Sequence, residues 1–137
     1  MATVDVTNGT NYPYDGSGKI FVIENTLDFS ATTRAAADVL QVLNINANTL
    51  VLECMSKIVT AEGGTATFDL GDGDDPNGYA DAVDANVAGE LVQASGAYAL
   101  ETLGGRLYTA ADTIDMTLDH ELDAGKVTIR AVVIDVS

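Results

Sequence analysis

Apolar residues in this chain recur at every second position, segment after segment, and almost nowhere at helical spacing. Successive side chains of a strand point to opposite faces, so a period of two selects half-buried β-strands. Phe21, Ile23, Leu27 and Phe29 alternate with Val22, Glu24, Thr26 and Asp28. Ala66, Phe68 and Leu70 share one face of the segment 65–70. Ile114, Met116 and Leu118 alternate with Thr113, Asp115, Thr117 and Asp119, and Val127, Ile129, Ala131 and Val133 line a last strand that ends near Asp135. Residues 39–45 are apolar at nearly every position, the pattern of a strand covered on both faces. Asn46-Ala47-Asn48 turns the chain into a long strand over 49–60, on which Leu50, Leu52, Cys54 and Ile58 are expected to share a face.

Turn residues punctuate these segments. Asp123-Ala124-Gly125-Lys126 reads as a turn, and Leu118 to Leu122 as a hairpin tip. Two stretches have helical character as well, residues 32–38 and the Ala-rich residues 80–94, although the first is short and the second carries Gly89 and several valines. About eight strands with frequent turns predict an all-β, single-domain β-sandwich of jelly-roll type. Its core should contain Phe68, Ile114, Met116, Val127, Ile129 and Val133. Residues 1–18 read as an N-terminal arm or edge strand, and residues 19–137 as the sandwich domain.

The charge excludes several functions. Six basic residues against 21 acidic ones leave a net charge of −15, and residues 58–105 hold nine acids, nine glycines and no lysine or arginine. Binding to nucleic acid or to anionic lipid draws on Lys and Arg at phosphate, so neither is an expected partner. No apolar run approaches the length of a membrane helix, and the first residues lack the basic and apolar regions of a signal peptide, so synthesis in a cytosol is expected.

Candidate chemistry concentrates in residues 69–79, Asp-Leu-Gly-Asp-Gly-Asp-Asp-Pro-Asn-Gly-Tyr. Calcium takes six to eight oxygens, and Asp72, Asp74 and Asp75 are the candidate ligands. Asp72 and Asp74 fit the first two ligand positions of an EF-hand loop, but Pro76 falls on the third, Asn77 on the required glycine and Val83 on the bidentate glutamate. An irregular calcium site stays open beside a plain structural turn shaped by Pro76 and Gly78, in which any metal would be dispensable. Gly71, Gly73 and Gly78 do not make a phosphate cradle, because the neighbouring aspartates repel the anion. A carboxylate pair for glycoside hydrolysis lacks aromatic platforms in a chain with no Trp.

His120 is the single histidine and reads as a loop residue, with no nucleophile motif at any serine. Cys54 is the single cysteine and reads as a small buried hydrophobe, so neither a disulfide nor a zinc site is expected. No catalytic set, and hence no enzyme and no cofactor, follows from these residues.

The segments 39–52 and 69–79, with Tyr108 to Leu118 and Ala124-Gly125-Lys126-Val127, resemble a group of small tailed-bacteriophage virion proteins of the capsid decoration or cement type. The resemblance spans roughly residues 38–135. It implies a small β-sandwich, often trimeric, bound to the major capsid protein on the outside of the shell, with no catalytic residues. The aromatic arm residues Tyr12, Pro13 and Tyr14 are then the candidate contact. A binding module of the phage surface for a host glycan, assisted by calcium, is the alternative; it should display a groove with exposed aromatics.

Overall fold

A computed structural model of the chain describes residues 1–7, 19–99 and 104–137. Among these residues there are ten strands and no helix. The strands are β1 (Thr3–Asp5), β2 (Ile20–Asp28), β3 (Val39–Ile45), β4 (Thr49–Thr60), β5 (Thr67–Gly71), β6 (Ala80–Asp84), β7 (Leu91–Gln93), β8 (Arg106–Tyr108), β9 (Asp112–Leu118) and β10 (Lys126–Asp135). One sheet runs β1-β3-β9-β5-β6, the other β2-β10-β4-β7, with β8 paired to β4 as well. Without the short β1 and β8, the orders β3-β9-β5-β6 and β2-β10-β4-β7 interleave two Greek keys, which is a jelly-roll-like sandwich.

The inward faces meet as the alternation predicts. Phe68, Ile114, Met116, Val127, Ile129 and Val133 are all buried, packed with Leu40, Val51, Cys54 and Ile58. Burial pushes the Cys54 thiol up to about 12, with Glu53 adding to the effect, so no thiolate forms at neutral pH.

Bulges account for two departures from simple alternation. β3 is not covered on both faces. Gln41 pairs with Asp115 and Leu43 with Ile114, leaving Val42 as an extra residue, so Val42 and Leu43 both turn inward. The buried Asn25 donates through Nδ2 to the Val42 carbonyl at 3.0 Å and to that of Val6 at 2.6 Å, satisfying acceptors at the bulge and beyond β1.

The second departure lies in β4. Glu53 pairs with Val132 and Val51 with Val133, so Leu52 is the extra residue and the facing flips across it. Cys54 and Ile58 face the core with Ser56, whereas Leu50 and Leu52 are half-buried and lie off that face.

The helical option for 80–94 gives way to β6 and β7, joined by a turn in which Gly89 takes φ 85°. Pairing with neighbouring strands overrides the helix preference of alanine here. Residues 32–38 form turns instead, held where Arg34 and Leu122 exchange backbone hydrogen bonds at 3.0 Å. The segment 118–122 is a crossing between sheets and not a hairpin tip, since β9 and β10 belong to different sheets and Leu122 is fully buried. Glu62 supports this crossing by accepting from the backbone N–H groups of Asp123, Ala124 and Gly125. Burial pushes its carboxyl up, but these three donors outweigh it and hold it below the usual range.

Candidate functional site

The acidic segment leaves β5 at Gly71 and returns to the sheet at β6. Its backbone closes on itself: Asp72 and Gly78 both donate to the Asp75 carbonyl, at 3.1 and 3.0 Å, and Tyr79 donates to Leu70 at 2.9 Å. Gly71 is required for space. A Cβ there would run into the Asp75 carbonyl oxygen and Pro76, which lie directly over it. Gly78 has the same role against the Tyr98 ring.

Asp72 is the centre of this region and is only 1% exposed. Its Oδ1 accepts from the backbone N–H groups of Asp74 (3.0 Å) and Asp75 (2.9 Å) and from the Tyr98 hydroxyl at 3.2 Å. Its Oδ2 accepts from the Tyr108 hydroxyl at 2.9 Å, with Arg106 Nε 3.4 Å away. Tyr108 has one proton and gives it to Asp72, so in the 2.8 Å contact between Tyr79 and Tyr108 the donor is Tyr79. The Arg106 guanidinium lies 4.6 Å from the centre of the Tyr98 ring and 5.4 Å from that of Tyr108, and pairs with the exposed Asp74 at 2.8 Å.

The cluster joins two sheet edges. Tyr79 immediately precedes the edge strand β6 of one sheet, while Arg106 and Tyr108 sit on β8 at the edge of the other. Burial raises the Tyr98 hydroxyl to about 12 and those of Tyr79 and Tyr108 further. At neutral pH the three phenols are therefore protonated, and those of Tyr98 and Tyr108 donate to the carboxylate. With both Asp72 oxygens engaged by the loop backbone, Tyr98 and Tyr108, the arrangement is suited to holding the loop and the sandwich edge together.

Of the candidate calcium ligands, Asp72 points into this cluster, while Asp74 is 78% exposed at its side chain and turned to Arg106. Among the described residues no three His, Cys, Asp or Glu side chains converge on a point that could hold a metal ion. His120 accepts from the Thr67 N–H through Nδ1 at 3.4 Å, beside the 2.8 Å bond from the Thr67 hydroxyl to Asp119. Tyr12, Pro13 and Tyr14 lie outside the described residues. Sequence reading missed Arg106, Tyr98 and Tyr108 as partners of Asp72. The available signal was that Arg106 is the first cation after the cation-free stretch and has tyrosines at 98 and 108 around it.

A second carboxylate, Asp115, sits on the solvent side of β9 yet is only 7% exposed, between Gln41 and Gly71 in register. Burial raises its pKa to about 6, the charges of Asp112 and Asp72 add to this, and the hydrogen bond from Thr113 opposes it. Between its unfolded value of 3.8 and about 6, the folded chain holds a proton that the unfolded chain has lost. Stability from this group therefore falls as pH rises through that window. Asp115→Asn is expected to raise the urea midpoint at pH 7.5 and to change it little at pH 4. An equal shift at both pH values would show that the charge is not the cause.

No family model and no curated protein matches the sequence. Solved structures match the fold. A chain in the capsid of Ralstonia phage GP4 superposes with a TM-score of 0.67 at 16% identity, covering 93% of this chain and 91% of that one. A chain in the acidic stable capsid of Helicobacter pylori bacteriophage KHP30 gives 0.62 at 10% identity over 84% and 86%. A chain of the cyanophage Pam1 capsid asymmetric unit gives 0.61 at 18% identity over 90% of each. At these identities the likeness is one of fold. This chain shares its two-sheet fold, almost end to end, with chains found in phage capsids.

Proposed function

We propose that this chain is a structural protein of a bacteriophage virion, a decoration or cement protein that binds the outer face of the major capsid shell and bridges neighbouring subunits. The observation that carries the reading is the near-complete coverage on both sides of the match to a phage GP4 capsid chain. A match nearly complete in both directions means that the matched capsid chain is of about this chain's length and shares its whole fold. The likeness to chains of three phage capsids supports a structural role.

In this reading the protein is made in the host bacterial cytoplasm and joins the virion as a homotrimer. Tyr12, Pro13 and Tyr14 contact the major capsid protein, and the acidic loops face solvent, where a charge of −15 per copy is least unfavourable. Nucleic acid and membrane are not partners. Many modest contacts repeated around a symmetric shell hold it by avidity. Heating capsids with and without bound protein tests the stabilising role: release of packaged DNA should shift to higher temperature with the protein bound, and an unchanged release temperature would remove the cement function.

The glycan-binding alternative has less support. Among the described residues none of the strongly exposed hydrophobics is aromatic: Phe29, Phe68, Tyr79, Tyr98 and Tyr108 are buried, and Phe21 is half-buried against the core. Asp72, the most buried of the candidate calcium ligands, is directed to Tyr98, Tyr108 and the N–H groups of Asp74 and Asp75. Melting curves with and without chelator are expected to coincide, and a large loss of stability in chelator would point to a metal in the acidic segment.

A further inference from the structure

The outward face of the sheet built on β2, β10, β4 and β8 carries a row of aliphatic side chains that the fold does not cover. Ile20 lies opposite Ile134, Ile134 opposite Leu50, and Leu50 opposite Leu107, so one rung crosses four strands. Val22 and Val132 form the next rung. Ile20, Val22 and Leu107 are 63%, 54% and 51% exposed, and Leu50, Val132 and Ile134 are half-buried. Single exposed aliphatics are ordinary on a soluble protein, but a contiguous apolar row marks a contact surface.

We propose that this face is where copies of this chain associate with one another. The charge distribution selects that occupant. Two copies at −15 each repel, and they can touch only where charge is locally balanced. The outward positions of these strands hold the acids Glu24, Asp28 and Glu53 against the bases Lys57, Lys126 and Arg130, which are half of the chain's six cations. Arg130 pairs with Glu24 at 2.7 Å in the rung next to Val22 and Val132, and Lys126 pairs with Asp28 at 3.8 Å two rungs further along, past Thr26 and Thr128. An apolar centre beside neutralised charge is the anatomy of a protein interface. A cationic partner would instead be drawn to the acidic loops, away from this face. The inference shares with the capsid reading only the expectation of an oligomer, and it stands on the sheet face alone.

The test is sedimentation of the wild-type chain and of the Val22→Glu/Leu107→Glu double variant at about 100 µM without capsids, a concentration at which micromolar contacts are occupied. Both sites are exposed, and matching circular dichroism and melting verify the fold of the variant. The wild type is expected to sediment as an oligomer and the variant as the 14.2 kDa monomer. Like charges facing each other should weaken association at least about a hundredfold. Ile20→Gln, an uncharged change, should weaken it in the same direction. Val87→Glu, on the exposed connection between β6 and β7, should leave it unchanged. A strictly monomeric wild type, or a double variant that associates like the wild type, would overturn the proposal. An associating wild type that fails to bind capsids would count against the capsid reading and leave this one standing.

Discussion

Asp72→Ala is expected to lower the unfolding free energy by about 3–5 kcal/mol, the usual range when one partner of a buried charged network is removed. The loss follows from what stays behind. Tyr98 loses its hydroxyl acceptor, the N–H groups of Asp74 and Asp75 lose theirs, and Arg106 keeps only Asp74. Tyr108 loses the acceptor for its proton as well. Arg106 is partly exposed and regains water, so the largest penalty falls on the phenols and the loop backbone. Asp72→Asn keeps one acceptor and should be milder. Because the chain has no Trp and three of its five tyrosines belong to this cluster, tyrosine fluorescence during urea unfolding reports largely on this region. A loss below about 1 kcal/mol would mean that water replaces the carboxylate and that the cluster does not hold the sandwich edge.

Phe68→Ala should have an effect of similar size, about 3–5 kcal/mol, through a different cause. Phe68 lies in β5 with Leu118 of β9 on one side and Val83 of β6 on the other, and is completely buried. Truncation leaves a cavity between the two sheets beneath β5, which cannot close without shifting one sheet on the other. Val87→Ala, at an exposed position between β6 and β7 and away from the aliphatic sheet face, is the control and should stay within about 0.5 kcal/mol. Were Phe68→Ala to match that control, the packing of the two sheets around β5 would be wrong. Against typical total stabilities of about 5–15 kcal/mol, either large substitution leaves a marginal protein.

The parts of the fold that were legible in the sequence are those with unbroken alternation. Phe68 and Leu70, Ile114 to Leu118, and Val127 to Val133 each keep one phase, so their core faces follow directly from the period of two. Bulges were not legible. An extra residue at Val42 makes 39–45 look apolar at nearly every position, and one at Leu52 moves Leu50 to the opposite face from Cys54, yet neither bulge is marked by a turn residue.

Sheet crossings were hidden for a related reason. The turn chemistry around Asn48 or Gly125 suits a hairpin as well as a connection between layers, and only the pairing of β3 with β9 and of β4 with β10 decides. The site was half legible. The acid-rich turn announced itself, but burial of Asp72 depends on Tyr98, Arg106 and Tyr108, which reach it only through the fold.

The central claim is that this small acidic sandwich is a component of the outer surface of a phage capsid. Its most direct test is imaging, by electron cryomicroscopy, of capsids that lack the protein after the purified chain has been added. The account predicts new density on the outer face of the shell, fitted by the two-sheet sandwich and spanning neighbouring capsid subunits. Particles indistinguishable from the untreated ones, together with binding of the free protein to a host-surface glycan, would contradict it.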